Sequence, residues 1–202
     1  GTTWTQIKAS LNSADTVTRA EFAVNKTHDG KTRMYVNEGN DGANDAAFFR
    51  ADNVAAGTPT FTQLSSSNPA DPGYGSYALC DGPCWYDNYV VSPPGYPDVV
   101  YALGSYAYGE TGGISNGRGV VLSTDGGQTF TDMTMDSTDA VHPNGLHPDQ
   151  HVLVVNPGNP YQFWEGSDGG IMRSSGHFAD ISGNCAGRGL ASPALDRCQQ
   201  LL

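Results

Sequence analysis

Short apolar runs, four or five residues long and broken by glycine, proline and asparagine, recur along the whole chain. Runs of that length between turn residues predict β-strands joined by tight turns. A pair of such runs at 22–25 and 33–36 reappears at 89–93 and 99–102, and again at 153–157 and 161–164. Aligning Asn25, Ser92 and Asn156 spaces the copies 67 and 64 residues apart (92 − 25 and 156 − 92). A third apolar run follows each pair, at 47–50, 119–122 and 170–173. A fourth short run closes each unit, at 60–64, 129–133 and 178–181. The pattern predicts an all-β chain built from repeated units of four antiparallel strands.

A unit of that kind is the blade of a β-propeller. A β-sandwich also strings short strands together, but it does not repeat its motifs at a fixed period. The expected division is 11–67, 68–136 and 137–183 for three blades, with 1–10 as the closing strand of a preceding blade. Residues 184–202 are read as a disulfide loop or the start of a next segment. Three blades and one stray strand leave an incomplete ring, because closed propellers have about four to eight blades. The remaining blades are expected from the same protein or from other copies.

Between the third and fourth runs of the middle unit lies Ser123-Thr124-Asp125-Gly126-Gly127-Gln128-Thr129-Phe130. A carboxylate there accepts N–H groups across its own turn, glycines permit the tight backbone, and the aromatic buries beneath the hairpin. This octapeptide resembles the Asp-box, or BNR, repeat of sialidases, sortilin-type receptors and xyloglucanase-like glycoside hydrolases. Gly1-Thr2-Thr3-Trp4 matches the second half of such a box, and degenerate copies surround Asp52 and Ser174-Ser175. The stretches 84–87, 147–151 and 166–170 are similar to motifs of secreted bacterial glycosyl-hydrolase-like BNR proteins. The resemblance implies that Ser123, Asp125, Gly127, Thr129 and Phe130 brace a turn, and that ligands bind on the opposite face.

Composition narrows the partners. With 26 glycines and 12 prolines, long helices are not expected. Ten Lys+Arg against 21 Asp+Glu give a formal charge of −11, which excludes nucleic acid as a natural partner. No run is long and apolar enough to span a bilayer. Four cysteines allow three pairings, of which proximity favours Cys80–Cys84 and Cys185–Cys198. Four free thiols in a reducing compartment are the alternative; an even count in an acidic, Gly- and Tyr-rich chain favours an extracellular or cell-surface location.

Stepping back five residues from the aligned Asn25, Ser92 and Asn156 reaches Ala20, Asp87 and His151, and two further back Thr18, Trp85 and Asp149. Strand alternation is expected to turn these positions towards a common axis. Loops between the second and third strands add Glu38, Asp41, Asp45, Glu110, Glu165 and Asp168, with Tyr106 and Tyr108. Carboxyls beside exposed aromatics are the chemistry of sugar sites. Asp87, Asp149 and Asp168 are therefore the candidate catalytic carboxyls, and Trp85, Tyr86, His151, Tyr106, Tyr108 and Glu165 the candidate binding residues. His147, Asp149 and His151, with His142 nearby, alternate as metal ligands do, although such residues more often bond neighbouring loops. The oxygen-rich 40–45 stretch is a candidate for calcium or another divalent cation, or a solvated turn, and lacks EF-hand spacing.

Two functions fit. One is a binding or structural module that recognises carbohydrate or a cell-surface protein at the acidic, aromatic face. The other is a secreted glycoside hydrolase acting on polysaccharide through paired carboxylates. A sialidase is disfavoured, since the resemblance would require an arginine cluster and only Arg19 lies near such a position.

Overall fold

The computed structural model describes residues 1–4, 19–39, 46–80, 84–106, 118–134, 146–178, 183 and 185. Among these the chain is all-β, with three antiparallel sheets that follow the three sequence repeats. The first contains β1 (Arg19–Lys26), β2 (Thr32–Gly39), β3 (Ala47–Ala51) and β4 (Thr62–Gln63), side by side in chain order. The second contains β5 (Tyr89–Val91), β6 (Val100–Leu103), β7 (Val120–Ser123) and β8 (Thr131–Asp132) in the same order. The third contains β9 (Gln150–Asn156), β10 (Asn159–Ser167) and β11 (Gly170–Arg173). Of the expected fourth strand at 178–181, Phe178 lies outside any strand and the rest falls outside the described residues.

The middle sheet is the centre of the core. In β6, Val100 and Ala102 face the first sheet, where they join Tyr35, Phe48, Val90, Val121 and Phe130. Tyr101 and Leu103 point the other way, towards Val120, Leu122, Leu153 and Phe163. That is why β6 and β7 read as unbroken apolar runs: both of their faces are covered. Burying each large side chain contributes roughly 1.5–3 kcal/mol.

Equivalent polar contacts recur from one sheet to the next. The Tyr35 hydroxyl donates to the Pro97 carbonyl at 2.6 Å, and the Tyr101 hydroxyl donates to the Pro160 carbonyl at 2.8 Å. The aligned residues Asn25 and Ser92 are themselves bonded, amide to hydroxyl, at 2.9 Å. The first strands of successive sheets run against each other, β1 on β5 and β5 on β9.

The 123–130 turn joins β7 to β8. Asp125 Oδ1 accepts from the main-chain N–H of Gln128 (3.0 Å) and Thr129 (2.9 Å) and from the Ser123 hydroxyl (2.8 Å), while the Thr129 hydroxyl donates to Oδ2 at 2.6 Å. Partial burial works to raise the Asp125 carboxyl, but these donors outweigh it and hold the group below its ordinary value. Gly127 has φ +84°, and a Cβ there would stand 2.9 Å from Leu64 and 3.1 Å from Phe48. Phe130 completes the turn by meeting Phe48 edge-on at 5.3 Å.

Two fastenings hold the segment between the first two sheets. Cys80 and Cys84 form a disulfide. Cys185 is buried and also disulfide-bonded, and Cys198 lies outside the described residues. The fully buried Arg118 donates to the carbonyls of Tyr74 (3.0 Å), Gly75 (2.6 Å) and Tyr77 (3.0 Å), at the short 3₁₀ turn Pro72–Ser76. No helix among the described residues is long and apolar enough to cross a membrane.

Candidate functional site

Three segments meet above the junction of the second and third sheets: residues 84–88 entering β5, residues 146–151 entering β9, and the β10–β11 turn at Asp168. A single antiparallel bridge pairs Ser105 with Asp149, joining the end of β6 to the start of β9. The Asp168 N–H donates to the Asp149 carbonyl at 3.4 Å. Along β9 and β10 the register shifts, with Gly166 opposite Val152 and Ser167 opposite Gln150. His151 is the extra residue of this bulge, a device that re-aims a side chain.

His151 stands at the centre of the cluster. Its Nε2 lies 2.7 Å from Asp168 Oδ1 and its Nδ1 3.4 Å from Asp87 Oδ1. The Tyr86 ring meets the imidazole edge-on at 4.8 Å, and the Tyr86 hydroxyl is 3.4 Å from both His151 Nε2 and Asp168 Oδ1. The hydrogen bond to His151 is the main influence holding the Asp168 carboxyl below its ordinary value; desolvation opposes it, and the charge of His151 and the Tyr86 hydroxyl assist. Trp85 lies 5.4 Å from Tyr86, and the two rings are 56% and 42% exposed.

Asp87 has a different environment. Its side chain is fully buried, and neither carboxyl oxygen has a hydrogen-bond partner in good geometry. Burial first, then the charge and the adjacent carboxyl of Asp149, and then the charge of Asp168, push Asp87 up to about 8; Arg19 opposes them. A hydrogen bond between Asp87 and Asp149 requires a proton on one of the two carboxyls, so the raised value and the missing donor describe one arrangement. Arg19 is held by Glu21 at 2.8 Å and by the Tyr86 carbonyl at 2.9 Å. Glu165, fully buried on β10, is pushed up to about 7 by burial, against the Ser167 hydroxyl and the charge of His151. Its Oε1 and the Oε1 of the buried Gln150 also have no hydrogen-bond partner.

The structure thus brings Asp87, Asp149, His151, Asp168, Tyr86 and Trp85 together, by a partly different route from strand alternation. Residues 85–87 precede β5 and lie in a turn, so Trp85 and Asp87 do not share a strand face: one is exposed and the other buried. Asp149 likewise precedes β9. His147 and His151 diverge. His147 Nδ1 lies 3.5 Å from Asp149 Oδ2 and accepts the Asp149 N–H at 3.2 Å, while His151 turns to Asp87 and Asp168. Among the described residues no three His, Cys, Asp or Glu side chains are arranged to hold a metal ion.

Glu165 belongs to the strand rather than to an exposed loop. Tyr106 donates its hydroxyl to the Leu146 carbonyl, and Glu38 is buried at the end of β2. Tyr108, Asp41, Asp45, Glu110 and His142 lie outside the described residues. Sequence reasoning missed Ser105, whose bridge leaves no trace in pattern, and Gln150, whose place inside the polar 147–151 run was the available signal. The chain matches no family model, no curated protein and no solved structure.

Proposed function

We propose that the three sheets are consecutive blades of an extracellular Asp-box β-propeller, and that the chain recognises carbohydrate at the rim where the first strands enter. The blade reading is supported by the side-by-side packing of β1, β5 and β9, the repeated tyrosine-to-proline bond and the braced 123–130 turn. Sheet faces left open on either side agree with further blades, from the same protein or other copies. Phe22 and Val24 are exposed on the first sheet, and Val154, Trp164 and Ile171 on the third. The Cys80–Cys84 disulfide agrees with an extracellular location.

One observation carries the binding function: the exposed Trp85–Tyr86 pair stands beside the polar atoms of His151 and Asp168. Pyranose rings present apolar faces that stack on such rings and hydroxyls that bond to such acceptors. Titration calorimetry with soluble oligosaccharides tests it. Trp85→Ala should weaken binding roughly tenfold or more without changing the melting temperature, because Trp85 is exposed. Unchanged affinity in that variant would remove the assignment.

A second reading, a glycoside hydrolase, is favoured by a different observation. Asp87 is pushed up to about 8 while Asp168 is held low, and such a separation can divide acid from base. Its difficulty is access. Asp87 has no exposed surface through which to protonate a glycosidic oxygen. Release of reducing sugar from any oligosaccharide that binds, abolished by Asp168→Asn, would favour the hydrolase over the binding module.

A further inference from the structure

The buried polar atoms left over at this rim are of one kind. Oε1 of Gln150 and Oε1 of Glu165 are acceptors without partners, and Asp87, whose proton faces Asp149, receives no well-formed hydrogen bond on either oxygen. Across the described residues the remaining unpartnered buried atom is another acceptor, Asn37 Oδ1, and no donor is left over. Buried acceptors without donors are costly, so what completes the rim must bring N–H or O–H groups. Positive charge suits the same place. Asp87 and Asp168 flank His151, Asp149 lies beside Asp87 and His147, and Glu165 is near enough to feel the charge of His151. Arg19, the nearest guanidinium, is already held by Glu21 and by main-chain carbonyls.

The accessible part of the cluster has a defined shape. Asp149 and Asp168 are adjacent through their backbones, with side chains 26% and 50% exposed, and Tyr86 and Trp85 stand alongside. Asp87 lies one layer deeper, within reach of Asp149. A compact group with three donors and a positive charge matches two neighbouring carboxyl groups. An apolar ring face fits against the two aromatics. A primary ammonium on a pyranose supplies both.

We propose that this rim selects amino sugars, a free ammonium seating between Asp149 and Asp168 while the sugar face packs on Trp85 and Tyr86. The inference rests on the carbohydrate-binding reading and narrows it to cationic saccharides. Seating the ammonium has a consequence for the buried layer. A positive charge beside Asp149 favours the ionised form of Asp87, so binding releases a proton to solvent. No covalent step is involved.

Titration calorimetry with the trimers of glucosamine and of N-acetylglucosamine tests the proposal. Running each at pH 7 in phosphate and in Tris separates proton release from binding heat. The glucosamine trimer should bind roughly tenfold or more tightly than its acetylated counterpart, as expected for a charge-assisted hydrogen bond. Its apparent enthalpy should differ between the buffers. Asp168→Asn should remove the preference. Asp87→Asn, which keeps a neutral side chain of the same shape, should leave the preference and change the buffer dependence by the proton that Asp87 no longer releases. Only uptake by the sugar amine, which titrates near neutral pH, then remains. Equal binding of the two trimers overturns the inference while the carbohydrate reading stands. So does binding of a neutral glucan oligomer with neither trimer bound. No saccharide binding at all overturns both. Oligolysine bound as tightly as the glucosamine trimer also overturns it, since the ammonium alone, without a sugar, would then be recognised.

Discussion

Asp87→Asn should change how stability depends on pH, and the structure gives both the direction and a ceiling. The folded chain holds Asp87 up to about 8, whereas an exposed aspartate titrates at 3.8. Below 3.8 the folded and unfolded chains both carry the proton, and the native state keeps all of this group's favourable contribution. As pH rises from about 4 to about 8 the unfolded chain sheds the proton and the folded chain retains it. Stability therefore falls across that window and the loss is complete above it. At about 1.4 kcal/mol per pH unit, a gap of about four units sets a ceiling of roughly 5–6 kcal/mol. Relaxation and water entry reduce it, so a loss of about 2–5 kcal/mol is expected. Asparagine cannot ionise and keeps a donor towards Asp149, so the variant should come nearest the parent at or below pH 4 and exceed it progressively towards pH 8. Urea unfolding at pH 5, 6, 7 and 8 measures the difference directly. Glu165, raised to about 7, adds its own downward slope to both proteins and cancels in the comparison. Asp29, Asp125 and Asp168 are held low, so their contributions are lost only in more acid solution. A stability difference that stays constant from pH 5 to pH 8 would refute the account of Asp87.

Asp125→Ala should lower stability by about 1.5–3 kcal/mol, because four donors lose a charged acceptor, and should leave saccharide binding unchanged. Thermal melts with calorimetry check both, and lost binding at an unchanged melting temperature would move the site to this turn. Gly127→Ala should cost about 1–3 kcal/mol in the same melts, since its Cβ would meet Leu64 and Phe48 at a positive φ. Arg118→Met should cost about 1.5–3 kcal/mol in urea unfolding, because the carbonyls of Tyr74, Gly75 and Tyr77 lose a charged donor. A change below about 1 kcal/mol would mean that those carbonyls find other donors.

The sheets were legible in the sequence because both the strand period and the turn chemistry are local. The middle repeat was clearest: β6 and β7 lie between two other sheets, and burial on both faces compels unbroken apolar runs. The third repeat was less clear. β11 is exposed along its whole length, so no burial constrains its sequence to a recognisable pattern. Arg118 gave no sign of its role. A lone arginine in a glycine-rich stretch reads as surface, and only the fold shows three carbonyls converging on it.

That the candidate residues would lie close together was legible in the sequence and their depth was not, for a physical reason. Repeats place equivalent positions of neighbouring sheets side by side, so aligning Asp87 with His151 correctly implied that they meet, and they lie 3.4 Å apart. Alignment carries no information about depth. Trp85 and Asp87 differ by two positions, which in a strand would put them on one face, yet the chain turns there before β5 begins. One residue thereby becomes an exposed platform and the other a buried carboxyl. The bulge at His151 is equally invisible, since it depends on how β9 registers with β10 rather than on either strand alone. These two irregularities separate an accessible layer of Trp85, Tyr86, Asp149 and Asp168 from a buried layer of Asp87 and Glu165. Regular strand alternation would have exposed Asp87 beside Trp85, and its carboxyl would then titrate as an ordinary aspartate does. The departure from the repeat is what places a proton-holding group behind the exposed Trp85–Tyr86 face, and it is why saccharide binding, if it occurs there as proposed, is expected to be linked to protonation.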